Sequence, residues 1–203
     1  YQGHEIMDGK PELPGLPATY TEDAKEAQTL TVSLKDTVTG IVLKLFYTIF
    51  AGGGILARSA GLINEGSESV QLTRAMSLCL DLPDCEYEWM QFSGAWARER
   101  HLKVRRLEQG IQAVDSLRGN SSHDHNPFII LKRPTADEEQ GEVFGFSLVY
   151  SGNFLAQAQV DTHDVTRVLL GINPMGFSWK LEPGETFQTP EAVTVYSRKG
   201  LGG

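Results

Sequence analysis

The sequence predicts an all-β protein: a large antiparallel two-sheet β-sandwich, or supersandwich, with little helix. Three observations carry that prediction. Apolar and β-branched residues come in short runs bounded by Gly, Pro, Asn, Asp and Ser, the pattern of half-buried strands. The connections between runs are too short for crossover helices of a dozen or more residues, so antiparallel pairing is expected. Apolar spacing of three and four, the helical period, surfaces only near Arg105 to Asp115. A chain of 203 residues is read as one sandwich domain over residues 1–203, because all-β sandwiches of this length are commonly single domains.

The elements follow in order. Gly9-Lys10-Pro11-Glu12-Leu13-Pro14-Gly15-Leu16-Pro17 reads as a polar opening rich in Pro and Gly, with the strand-like segments after it. Leu30, Val32 and Leu34 then alternate with Thr29, Thr31 and Ser33, and a turn over Asp36 to Gly40 leads into Ile41 to Tyr47. That is a hairpin with one buried face. Gly52-Gly53-Gly54 is expected to be the turn between two strands. Ile55 to Ile63, Val70 to Leu82, Phe128 to Lys132, Val143 to Ser151, Phe154 to Val160, Val165 to Ile172, Phe177 to Leu181 and Val193 to Ser197 supply eight more strands. Asn64-Glu65-Gly66-Ser67 reads as a tight connection between antiparallel neighbours. Pro183-Gly184 is a turn dipeptide, and Thr189-Pro190-Glu191 opens the last strand. Arg105 to Asp115, with Val104, Leu107 and Ile111 at helical spacing, is the one candidate helix, although it also suits a strand. No fixed-period repeat or low-complexity block is present.

Composition bounds the partners. A net charge of -8, from 26 acidic and 18 basic residues, lacks the basic footprint of a nucleic-acid binder and fits a neutral ligand. The charge-free apolar stretch from Leu45 to Ala57 falls short of the ~20 residues of a membrane helix and is broken by glycines, so no membrane partner is expected. No basic-then-apolar leader opens the residues at hand, and the expected compartment is the cytoplasm. Cys79 and Cys85, the only cysteines, are read as reduced. A secreted source, with a disulfide and glycosylation at Asn120-Ser121-Ser122, stays open.

Candidate chemistry is sparse. His123 and His125 stand two apart and would share a strand face, but a catalytic zinc needs a third ligand, and Asn126-Pro127 favours a turn. No metal and no cofactor are expected. No G-x-S-x-G elbow is present for a serine nucleophile. Glycoside hydrolysis needs two carboxyl groups about the scissile bond, and nothing in the spacing of Asp81, Asp84, Glu86, Glu88 and Glu99 selects a pair. Trp89 and Trp96 carry more weight, since an indole stacks on a sugar ring while its N–H donates to a hydroxyl. Gly94 and Ala95 would allow close approach. The competing reading puts either indole in the sandwich core; it is the better one for Trp89, and the two stand level for Trp96.

A further set of segments resembles a known family: Leu16-Pro17-Ala18-Thr19-Tyr20, Gly94-Ala95-Trp96-Ala97-Arg98-Glu99-Arg100, Ser121-Ser122-His123 with Asn126-Pro127-Phe128, Gly145 to Phe154, Gly171-Ile172-Asn173-Pro174, and Trp179 to Glu191. In this order they are similar to the amino-terminal domain of glycoside hydrolase family 36 α-galactosidases. The resemblance implies a β-supersandwich of two large sheets packed on a TIM barrel, in an enzyme that removes terminal α-galactose from raffinose-type sugars by a retaining mechanism. It places the two catalytic aspartates on that barrel, which these residues do not include, so no catalytic residue is expected here. The family's first strands, with an acidic substrate-contacting loop, would precede Tyr1. One binding position carries over, Trp96, which in the family reaches the galactose pocket. Arg98 and Arg100 are taken as structural or interface charges, and His123 has no assignable role. The expected role is therefore a non-catalytic domain that shapes the substrate pocket and the contacts of a homotetramer, binding α-galactosides weakly by itself. The alternative is a free-standing carbohydrate-binding or scaffold module.

Overall fold

The computed structural model describes all 203 residues. Sixteen strands form it, with a single short 3-10 turn at Ala24–Glu26 as the only helical element. They are β1 (Gly3–Asp8), β2 (Ala27–Lys35), β3 (Ile41–Phe50), β4 (Ile55–Asn64), β5 (Val70–Leu72), β6 (Met76–Leu82), β7 (Glu88–Ala95) and β8 (Arg98–Arg106). Then come β9 (Gly110–Asp115), β10 (His125–Lys132), β11 (Val143–Val149), β12 (Phe154–Val160), β13 (Thr166–Ile172), β14 (Trp179–Leu181), β15 (Thr186–Gln188) and β16 (Glu191–Ser197).

A ten-stranded sheet runs β1-β2-β3-β4-β16-β11-β10-β7-β8, with β15 also on β4. A four-stranded sheet, β6-β13-β12-β9, lies over part of it, and β14 and β5 form a separate ribbon. The fold is thus an antiparallel sandwich, with the second sheet smaller than the resemblance implies. Period-two alternation builds the core between the sheets. Trp89, Ile129, Leu131, Phe146, Leu148 and Ala192 face Leu78, Leu82, Phe154, Ala156, Ala158, Val160, Val168 and Leu170 in one buried cluster.

The opposite face of the large sheet is partly closed by residues 9–20. Glu191, 1 % exposed, accepts from the Thr19 backbone N–H at 2.6 Å and its hydroxyl at 2.9 Å, and pairs with the Lys10 ammonium at 3.2 Å. Two segments of the recognised series, one around Thr19 and one around Glu191, therefore form a single clamp. Fully buried Asn64 does similar work at the ribbon. Its amide donates to the carbonyls of Glu68 (2.8 Å) and Leu181 (2.9 Å), and its side-chain oxygen accepts from Gly66 N–H.

Several expectations are corrected. Asn64 to Ser67 does not join antiparallel neighbours: β4 pairs with β3, β15 and β16, while β5 pairs with β14, because Asn64 redirects the chain. Val70 to Leu82 breaks at Thr73-Arg74-Ala75 into β5 and β6, which lie in different sheets. The candidate helix at Arg105 to Asp115 is the end of β8 plus β9, which opens at Gly110 with φ 111 and pairs with β12. A strand that the sequence reading did not include, β1, precedes the polar opening, and His125 begins β10 instead of lying in a turn. Pro183-Gly184, with Gly184 at φ 85, does turn the chain, but it carries it from the ribbon to the large sheet and does not close a hairpin.

Candidate functional site

The β7–β8 hairpin forms one edge of the large sheet and ends in Trp96. Alternation along β7 sends Trp89 inward, where it is fully buried. Its N–H donates to Gln91 Oε1 at 2.7 Å, which turns the Gln91 amide so that its NH2 donates to Ser93 Oγ at 2.6 Å. Ser93 Oγ in turn sits 3.0 Å from His125 Nδ1 on β10. Trp89 is core; Trp96, in the turn, is 84 % exposed. The core reading is therefore excluded for Trp96.

The hairpin is not regular. Ser93 pairs with His101 and Ala95 with Arg98, so β8 carries one residue more than β7 over this interval, a bulge. Ala97 (φ 62) and Arg100 (φ 60) take left-handed conformations there, and Asp164 is the only other non-glycine residue to do so. Gly94 is needed beside the bulge. A Cβ on it would lie 2.6 Å from the Arg98 carbonyl oxygen and 2.7 Å from Glu99 Cα. Glu99 Oε1 accepts from Ala97 N–H at 3.0 Å, and the Gly94 N–H donates to the Asp124 carbonyl at 3.0 Å, tying the hairpin to the loop before β10.

Two hollows flank this region. One, about 320 Å³, is lined by Ser93, Gly94, Arg98, His101 and Lys103. The other, about 270 Å³, is lined by Asp115 to Arg118, Ser122, Asp124 and His125. A larger hollow of about 400 Å³ lies at the far edge of the sheet among Asp8, Lys25, Gln28 and Phe50, away from Trp96. Ser93, His101 and Lys103 belong to no motif. Only the density of cations between Arg98 and Arg106 signals that region in the sequence.

The carboxylates are engaged individually. Asp81 accepts from Arg167 at 2.7 and 2.8 Å, Asp84 from Arg133 at 2.6 and 3.0 Å, and Glu88 pairs with Lys132 at 2.8 Å. Asp115 and Asp124 share the second hollow. Asp115 accepts from Asn173 at 3.0 Å, and Asp124 pairs with Arg118 at 2.6 Å and His123 at 3.3 Å. No group of three or more His, Cys, Asp or Glu side chains is placed to hold a metal, and His123 and His125 do not converge on a common point with a third ligand. The start of β7 is a structural cluster. The Arg133 guanidinium lies 4.1 Å from the centre of the Tyr87 ring and holds the Asp84 carboxyl below the usual carboxylate range, while burial pushes the Tyr87 hydroxyl up to about 12. No helix is long and apolar enough to cross a membrane.

The architecture defines the class, a large antiparallel β-sandwich domain. A galactose mutarotase related enzyme from Lactobacillus acidophilus shares that fold at TM-score 0.51 and 12% identity, over 86% of this chain and 69% of its own. The particular assignment is sharper: the chain belongs to the glycosyl hydrolase family 36 N-terminal domain, whose family model matches residues 1–182. It is 52% identical over its full length to alpha-galactosidase AgaA of Geobacillus stearothermophilus, and 45% identical to alpha-galactosidase C of Emericella nidulans. It spans 28% and 27% of those two proteins. The crystal structure of the first superposes at TM-score 0.98 over 99% of this chain and 28% of that one. The same enzyme has been crystallised, with substitutions, in complex with raffinose and with stachyose.

Proposed function

We propose that residues 1–203 act as one sandwich domain of a retaining α-galactosidase that hydrolyses terminal α-galactosyl residues of raffinose-type oligosaccharides. In this reading the domain is non-catalytic. It shapes the substrate pocket through Trp96, packs against a catalytic TIM barrel, and supplies contacts of a homotetramer. The observation that carries it is a tryptophan, 84 % exposed, at the tip of a bulged and strained hairpin, in a chain 52% identical to an alpha-galactosidase. An exposed indole costs burial energy that folding does not recover, and strained backbone persists mainly where a ligand or partner uses it. A neutral saccharide fits such a platform, since the ring face stacks and the N–H donates.

Calorimetric titration of the chain with raffinose tests the assignment of Trp96. Weak binding that disappears in Trp96→Ala, with the thermal midpoint unchanged, is the expected outcome. Binding of equal strength in Trp96→Ala would remove the indole from the site.

A further inference from the structure

The hollow of about 320 Å³ at the β7–β8 hairpin is unlike a pocket for a neutral sugar. Its lining, Ser93, Gly94, Arg98, His101 and Lys103, contains no apolar side chain and no carboxylate. Sites for neutral ligands are mostly apolar, with a few converging donors and acceptors. Here the functional groups are overwhelmingly donors, since guanidinium and ammonium groups have N–H bonds and no acceptor.

The backbone is shaped to assemble this set. His101 and Lys103 already share one face of β8 by alternation, and the extra residue of the bulge brings Arg98 to the same hollow. Gly94 permits the close approach, and the left-handed Ala97 and Arg100 maintain it. In a chain of net charge -8, Arg98, Arg100, Lys103, Arg105 and Arg106 stand on one edge strand and none forms an ion pair; Arg105 lies over the Trp89 ring, 5.5 Å from its centre, while Arg98 and Lys103 face the hollow with no carboxylate partner. Ser93 Oγ already accepts from Gln91. When His125 Nδ1–H also donates to it, the hydroxyl proton has no partner in the chain and is free for a ligand.

We propose that this hollow binds an oxyanion, the phosphoryl group of a phosphorylated sugar or free phosphate. Arg98 presents its planar fork, Lys103 a point charge, and Ser93 a hydroxyl donor, the combination that recognises phosphate oxygens. The volume falls at the lower end of small-ligand sites, roughly 300–1,000 Å³, and so accommodates a hexose phosphate.

The test titrates the 203-residue chain at constant ionic strength with inorganic phosphate, galactose 6-phosphate and galactose, followed by calorimetry and backbone amide NMR. Saturable binding of both phosphate-bearing probes, with shifts centred on Ser93, His101 and Lys103 that galactose does not reproduce, is expected. Tighter binding of galactose 6-phosphate identifies the sugar phosphate as ligand; equal affinities identify the free anion. Arg98→Gln/Lys103→Gln should weaken binding at least about ten-fold, the loss of a charge-assisted hydrogen bond, while Lys44→Gln changes nothing. Should the double variant fail to fold, Lys103→Gln alone, on the exposed strand, gives the same reading. Shifts spread without saturation over all surface cations, or an affinity unchanged in the variants, would overturn the proposal.

Discussion

Trp89 and Trp96 lie seven positions apart on one hairpin and have opposite fates, because strand alternation governs the first and the turn frees the second. The core reading of Trp89 was already the better one from composition, although the sequence runs did not single out the strand over Glu88–Ala95. The buried role of Glu191 was not legible, since its partner Thr19 is 172 positions away and no local pattern connects them. Glu191→Ala would leave Lys10 buried and unpaired, and a loss of about 3–5 kcal/mol is expected, as for other broken buried pairs. Urea unfolding measures it. A loss under roughly 1 kcal/mol, typical of surface pairs, would mean that the 9–20 segment is not clamped as described.

Among the elements, β8 illustrates what the sequence conceals. Its nine residues are all exposed, and charge on an edge strand prevents pairing with other chains, so the strand reads as polar loop. The same applies to β1 at the other edge. Central strands such as β10 to β13 were legible because both neighbours and the core select β-branched and aromatic residues. The bulge in the β7–β8 hairpin gives a test at this scale. Gly94→Ala must displace the backbone of Arg98 and Glu99, and should cost about 1–3 kcal/mol as overpacking. In amide NMR its shifts should concentrate in residues 93–101. A variant as stable as the parent, with an unchanged spectrum, would contradict the close approach.

Across the whole molecule, the all-β antiparallel class was legible from run length and connection length, while the partition of sixteen strands into unequal sheets was not. That partition depends on long-range groups such as Asn64, which diverts the chain from β4 into a different sheet. The fold also carries an acid sensitivity. The hydrogen bonds from Arg133 to Asp84 and from Arg167 to Asp81 hold both carboxyls below their ordinary range. A depressed folded pKa contributes stability that is full above the unfolded value of about 3.9 and is lost as pH falls through the lower folded value. Asp84→Asn should therefore flatten the decline in stability below about pH 4, measured by urea unfolding at stepped pH. An unaltered slope would mean that this pair does not couple folding to protonation.

The central proposal is that this sandwich supports an α-galactosidase without performing its chemistry, and hydrolysis of an aryl α-galactoside by the purified chain tests it most directly. Asp115 and Asp124 line one hollow, but each is held by Asn173 or Arg118. No turnover above the uncatalysed rate is predicted; turnover that Asp115→Asn or Asp124→Asn abolishes would contradict the account.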